Sequence, residues 1–160
     1  MVAGGCFTHQ PLLNHSPNIV LMTDPINANE PFLTCPKCQH QMAQVTYGGV
    51  TVDRCTNCSG IWFDFHEEAK LKEMQGSQAI EGERPTTDMA RRLNSMPYVS
   101  CPRCEGNIEM TRLVVNHQAH IWYESCPSCR GIYFDAGEFA DFRLYTPLDI
   151  VKNLFASRRD

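Results

Sequence analysis

Cys35-Pro36-Lys37-Cys38 and Cys55-Thr56-Asn57-Cys58 stand sixteen residues apart, and the arrangement returns as Cys101-Pro102-Arg103-Cys104 and Cys126-Pro127-Ser128-Cys129 with a gap of twenty-one. Eight of the nine cysteines fall in these two copies. Two short CxxC turns each offer two thiolates to one ion, and four thiolates at roughly 2.3 Å make a closed tetrahedral zinc site. The first gap lies inside the usual window for such pairs and the second is one residue beyond it. The expected metal ligands are therefore Cys35, Cys38, Cys55 and Cys58 for one ion, and Cys101, Cys104, Cys126 and Cys129 for another.

Working outward, the repeat extends past the cysteines. Cys58-Ser59-Gly60-Ile61-Trp62-Phe63-Asp64 aligns with Cys129-Arg130-Gly131-Ile132-Tyr133-Phe134-Asp135, and Glu67 aligns with Glu138. The offset is 66 residues at the first CxxC and 71 at the second, so the extra length sits between the two pairs of the second copy. Between the pairs the pattern predicts antiparallel hairpins. Met42 to Val45 and Val50 to Arg54 flank Tyr47-Gly48-Gly49, while Ile108 to Val115 and Ala119 to Ser125 flank Asn116-His117-Gln118. A strand and then a helix follow the second CxxC, with Asp64 and Asp135 expected as N-caps and Glu67 and Glu138 completing capping boxes. Phe134 and Phe139 have the spacing of a hydrophobic staple, which the first copy lacks because Glu68 stands there.

Each unit of about forty residues is too short to bury a self-sufficient apolar core, so bound metal would supply the folding energy. The expected fold is small, metal-stabilised and mainly β with short helices: two tandem zinc ribbons, each followed by a capped helix. The expected organisation is an irregular N-terminal arm at 1–34, a first ribbon at 35–75 and a linker with a short helix at 76–97. A second ribbon at 98–145 and an amphipathic C-terminal helix and tail at 146–160 complete it. Within the arm, short apolar runs such as Ile19-Val20-Leu21-Met22 are broken by Pro17 and Pro25, and one piece of it is expected either to add a strand to a neighbouring sheet edge or to be disordered. In the linker, Thr87 to Met96 reads as a short helix ended by Pro97. In the tail, Thr146 caps, Pro147 takes the first helical position, and Leu148, Val151 and Phe155 share a face.

These residues resemble a known family. The order Cys-Pro-x-Cys, hairpin, Cys-x-x-Cys-x-Gly-Ile-aromatic-Phe-Asp-x-x-Glu is similar to the bacterial zinc ribbon named for its likeness to the ribbon of transcription factor TFIIB. The second copy, Gly131-Ile132-Tyr133-Phe134-Asp135-Ala136-Gly137-Glu138, carries the full pattern; the first has His66 where the family has glycine. The resemblance implies zinc and a ribbon in two copies. A role in transcription is implied mainly by the family's name.

Composition narrows the function. The formal charge is −4, and two zinc–tetrathiolate centres add about four further negative charges. Residues 35–75 sum to −1 and residues 98–145 to −2, with the basic residues scattered rather than gathered into a nucleic-acid footprint. The N-terminus has no basic start or apolar core of a signal peptide, and no stretch approaches a membrane span. The expected compartment is the cytoplasm, where thiols stay reduced and paired CxxC motifs favour metal over disulfides.

The expected function is that of a non-enzymatic adaptor that binds another macromolecule, a protein partner being favoured over nucleic acid, with no membrane partner. A closed four-thiolate site has no position for substrate. Because strands alternate faces, one ring of Trp62 and Phe63, and one of Tyr133 and Phe134, is expected to point outward as a partner contact. The alternatives are a nucleic-acid-binding transcription-related ribbon, a rubredoxin-like electron carrier with iron in place of zinc, and a thiol-redox zinc protein. Among the remaining metal-binding residue types, Cys6 with His9 forms a half-site near His15. His117 and His120 lie in the long hairpin, and His40 and His66 flank the knuckles, His40 within reach of a thiolate.

Overall fold

The structure is a computed structural model and describes residues 19–22, 32–116 and 118–144. The half-site at Cys6, His9 and His15, residue His117 and the C-terminal helix at 146–160 lie outside the described residues.

Each ribbon begins with its hairpin. β2 (Met42–Tyr47) and β3 (Val50–Cys55) pair antiparallel around Gly48-Gly49, whose φ values of 57° and 81° are those a tight two-residue turn demands and glycine adopts without cost. β5 (Thr111–Val115) and β6 (Gln118–Ser125) form the second hairpin, with a register shift between Val114 and Val115 that absorbs the longer loop. The second CxxC of each ribbon then leads into a three-residue strand, β4 (Ile61–Phe63) or β7 (Ile132–Phe134). The apolar run in the N-terminal arm supplies β1 (Val20–Met22), antiparallel to β2.

The two ribbons are not beads on a string. β4 pairs antiparallel with β7, Trp62 opposite Tyr133, Ile61 opposite Phe134 and Phe63 opposite Ile132. A single seven-stranded sheet results, in the order β1-β2-β3-β4-β7-β6-β5, with an approximate two-fold axis between Trp62 and Tyr133.

The period-two alternation of strands then sorts the core by face. On one face Phe63, Phe134, Ile61 and Val52 pack beneath α1 (Glu67–Glu73), the 3₁₀ turn Ser77–Ile80 and α3 (Glu138–Arg143), through Leu71, Ile80 and Phe139. Phe139 joins the staple at 6.2 Å from Phe134 and also lies 5.0 Å from Phe63, so the second ribbon's staple reaches into the first. On the other face Trp62 and Tyr133 lie among both cysteine clusters, covered by Met89 and Leu93 of α2 (Thr87–Asn94). α2 is capped by the Thr86 hydroxyl, which accepts from the Met89 N–H.

The capping boxes formed only by half. Glu67 and Glu138 reach back to the Asp64 and Asp135 N–H groups at 2.9 and 3.2 Å, as expected. The aspartate side chains do not cap. The positions before α1 and α3 are His66 (φ 72°) and Gly137 (φ 89°), both left-handed, and the aspartates are drawn off by cations of the opposite ribbon. For α3 a different residue serves: Glu81 of the linker accepts from the Ala140 N–H at 2.7 Å. The linker is therefore packed structure, with Ser77, Ile80 and Leu93 buried.

Candidate metal centres

The four thiols of each set converge. All Sγ atoms of Cys35, Cys38, Cys55 and Cys58 lie within 4.8 Å of one another, as do those of Cys101, Cys104, Cys126 and Cys129. The closest pairs are Cys35–Cys58 at 3.7 Å, Cys38–Cys55 at 3.3 Å, Cys101–Cys129 at 3.7 Å and Cys104–Cys126 at 3.9 Å. A tetrahedron with zinc–sulfur bonds of 2.3 Å has edges of about 3.8 Å, so both sets fit one zinc ion each.

The knuckle backbone explains the convergence. The Cys55 and Cys126 carbonyls accept from the Ser59 and Arg130 N–H groups, closing equivalent turns. Ser59 and Arg130 take positive φ (59° and 61°), which lets each knuckle fold back tightly before its strand. The N–H groups of Asn57 and Cys58 point at the Cys55 sulfur at 3.4 Å.

Electrostatics favour a cation at each centre. Contact with Cys55, with burial, pushes the Cys35 thiol up to about 12, and contact with Cys35, with burial, does the same to Cys58. Burial likewise raises Cys101. Against burial, the His40 N–H brings Cys38 down to about 6, and the Cys129 and Ser128 N–H groups bring Cys126 to about 7. Four such sulfurs do not all ionise unaided; a dication at the centre makes the tetrathiolate the stable state. The His40 ring nitrogen Nδ1 meets the Cys38 carbonyl at 2.9 Å and the ring also interacts with the Cys38 thiol, which the His40 main-chain N–H serves as well. His66 holds the left-handed turn before α1, and its ring stacks on Phe65 with centroids 3.5 Å apart.

The conserved geometry of the two halves extends to the seam between them, and this is where the expected partner contacts lie. Trp62, Phe63, Tyr133 and Phe134 are 0, 0, 0 and 1% exposed, so neither ribbon presents an outward ring. The alternation holds, with one ring of each pair on each face, but both faces are covered. Helices cover Phe63 and Phe134. Trp62 and Tyr133 are covered by the opposite ribbon's knuckles: a Cβ on Gly60 would collide with the Tyr133 hydroxyl, and one on Gly131 with the Trp62 ring. Glycine in each knuckle is therefore the space the partner ring fills.

Tyr133 goes further. Its hydroxyl lies 3.3 Å from Cys35 Sγ and 3.5 Å from Cys58 Sγ, both ligands of the first ribbon's centre. Burial, and then those two sulfurs, hold this phenol well above its usual range, so it stays protonated and donates to the thiolates. Trp62 turns its indole N–H instead to Asp64 of its own ribbon at 2.9 Å.

Two cations complete the seam, one from the x position of each Cys-Pro-x-Cys. Lys37 Nζ lies 2.7 Å from Asp135 and 3.0 Å from Glu124 of the second ribbon. Arg103 of the second ribbon lies 2.6 Å from Asp64 and 3.8 Å from Asp53 of the first. Asp53 and Asp64 occupy the repeat positions of Glu124 and Asp135. The sequence offered Asp64 and Asp135 only as helix caps and gave Lys37, Arg103, Asp53 and Glu124 no role, although basic x positions in both knuckles and acids after both aromatic pairs were present as a matched signal.

Comparison with known proteins agrees with the geometry. The model of the transcription factor zinc-finger family, the TFIIB-type zinc ribbon, matches residues 34–74 and again residues 100–142. The chain belongs to this family. Neither a curated protein nor a solved structure matches it. The chain is thus a tandem TFIIB-type ribbon whose two four-cysteine sets suit two zinc ions.

Proposed function

We propose that this tandem ribbon is a non-enzymatic binding module whose partner is a protein, working in a reducing compartment such as the cytoplasm. The observation that carries the reading is where the cations go. Lys37, Arg103 and Arg112 are held by acids of the molecule's own sheet. Arg54 and Arg143 donate to carbonyls of Ile80 and Met74. Arg130 lies over Phe65 and Lys72 over Phe142, at 3.7 and 3.8 Å from the ring centroids. Seven of the eleven basic side chains among the described residues are thus engaged in internal contacts, in a chain of negative net charge, and the exposed ones, such as Lys70, Arg91 and Arg92, are too few for a phosphate footprint.

Two further features support the reading. Tetrathiolate centres are coordinatively closed and hold loops rigid instead of activating water. They also persist only where thiols stay reduced. Among the described residues no helix is long and apolar enough to cross a membrane.

The experiment is affinity capture from native cells with and without nuclease, followed by salt titration of whatever is retained. A protein partner that survives nuclease and binds with little salt dependence is the expected result. Retention lost on nuclease, with affinity falling steeply in salt, would make the ribbons nucleic-acid readers. Metal analysis of the purified protein tests the other two alternatives: coloured, iron-loaded centres would indicate electron transfer, and zinc lost after mild peroxide would indicate thiol redox chemistry.

A further inference from the structure

The two-fold that relates the ribbons is broken at the edges of the sheet. In the first ribbon β2 carries a third strand, with Gln44, Val45 and Thr46 opposite Met22, Leu21 and Val20 of β1. Register through the hairpins maps β2 on β5: Ala43 pairs with Arg54 as Thr111 pairs with Ser125, and Arg54 and Ser125 are repeat equivalents. Arg112, Leu113 and Val114 thus stand where Gln44, Val45 and Thr46 do. Among the described residues no strand pairs with their outer side, since β5 ends the sheet.

The side chains record the difference. Val45 is fully buried, whereas Leu113 and Val114 are 40% and 37% exposed. An edge strand presents a row of backbone donors and acceptors, and natural sheets guard such edges with charge, proline or strong bulges. Leu113-Val114 has neither charge nor proline, and the strand's irregularity lies after it, between Val114 and Val115, leaving Thr111 to Val114 in regular register. The nearby Arg112 is no guard, because its guanidinium is tied to Glu124 at 2.8 and 3.1 Å and to the Asn94 carbonyl at 2.8 Å. Beside the start of the strand lies a cavity of about 310 Å³ with Met96, Pro97, Val99 and Met110 in its wall, together with Glu109, Thr111 and the Arg112–Glu124 pair.

We propose that the outer edge of β5 docks an extended, apolar segment of a protein partner as an eighth strand, with a side chain of that segment in the adjoining cavity. The occupant's chemistry is read from the seated strand on the matching edge: Ile19-Val20-Leu21-Met22 is uncharged, apolar and antiparallel to β2. Main-chain hydrogen bonds supply affinity in such strand addition, and pockets for alternate side chains supply selectivity. The inference rests on the protein-binding reading and names the surface it uses. The chain's own β1 does not fill this edge, because it lies on β2.

The test uses the full zinc-loaded chain and a synthetic peptide with the sequence of residues 16–25, followed by amide-resolved NMR. The expected result is saturable shifts centred on Thr111–Val115. Val114→Lys, which places a charge at an exposed position, should weaken peptide binding about tenfold or more with zinc content and melting temperature unchanged. Absence of shifts in β5 overturns the proposal, as do shifts confined to β2. Slow exchange of the β5 amides in the free monomer would show that the chain covers its own edge. Concentration-dependent dimers abolished by Val114→Lys would give the edge to a second copy; either result also overturns it. A nuclease-resistant partner captured equally by the Val114→Lys variant sinks the edge and leaves the functional reading standing. Peptide binding at β5 without any captured protein sinks the functional reading alone.

Discussion

Lys37 and Arg103 hold the same place in two copies of one knuckle and reach across the seam to the same two acids, yet their surroundings differ. The Lys37 side chain is 1% exposed and its partners Glu124 and Asp135 are 4% and 19% exposed; Arg103 is 35% exposed, its close partner Asp64 45%, and the more distant Asp53 10%. The central rings differ in parallel. Tyr133 touches the thiolates of the opposite centre, while Trp62 keeps its N–H for its own ribbon. One side of the seam is dry and tied to a metal centre; the other is wet and makes ordinary surface contacts. The difference teaches that repeated sequence does not give repeated energetics. A Coulomb pair in water is worth little, whereas removing one member of a buried pair leaves an uncompensated charge.

The largest expected effect breaks the comparison altogether. If the seam couples the ribbons, Cys58→Ser and Cys126→Ser should each melt both halves in a single transition, losing much of the roughly 10–16 kcal/mol that structural zinc supplies to small domains. Two separated transitions by calorimetry, one unchanged from wild type, would show instead that each ribbon stands alone.

Next come the cations. Lys37→Met should cost about 3–5 kcal/mol in denaturant unfolding, because Asp135 loses its buried partner and Glu124 keeps only Arg112. Arg103→Met should cost under about 1 kcal/mol. Equal losses would erase the distinction between the dry and wet sides.

Tyr133→Phe removes the hydroxyl and little else. Chelator competition should then show weaker zinc binding at the first centre by about 10-fold or more, as loss of an outer hydrogen bond does elsewhere, with the second centre unchanged. Trp62→Phe should leave both affinities near wild type, since its N–H bonds Asp64 and no thiolate.

The smallest effect follows pH. Burial, aided by neighbouring acids, raises Glu138 to about 8, and burial raises Glu67 to about 7. In the unfolded chain both titrate near the ordinary carboxylate value, so the folded state holds the extra proton in between, and stability falls as pH rises through that window. Glu138→Gln and Glu67→Gln keep an oxygen for the Asp135 and Asp64 N–H groups and remove the titration. In zinc-loaded protein each variant should gain on the order of 1 kcal/mol over wild type as pH rises from 6, levelling near pH 7 for Glu67→Gln and pH 8 for Glu138→Gln. Melting curves across pH 6 to 8.5 that stay parallel to wild type would contradict this.

Local order was legible in the amino-acid sequence wherever a local constraint fixed it. The CxxC spacings placed all eight cysteines, Gly48-Gly49 placed a turn, and the helix read from Thr87 begins there, ending two residues short of Met96. What escaped was long-range. β4 and β7 are three-residue strands with no pattern that says what they pair with, so one ring of each pair read as surface, when Trp62 and Tyr133 each fill the other ribbon's knuckle and Phe63 and Phe134 lie under the helices. Asp64 and Asp135 match a capping box because Glu67 and Glu138 do close half of one, and only the distant cations reveal why the aspartates turn away.

The antiparallel pairing of Trp62 with Tyr133 makes the molecule a homodimer written into one covalent thread. In a true dimer such an isologous seam dissolves on dilution, and both faces must stay identical because one gene encodes them. Tethering replaces dilution with a fixed effective concentration. It also frees the halves to diverge: one keeps a lysine where the other has arginine, a tyrosine where the other has tryptophan, and a closed edge where the other is open. Asymmetry that no symmetric dimer could hold is what gives this sheet two unlike ends, a short added strand at one and a hairpin strand at the other.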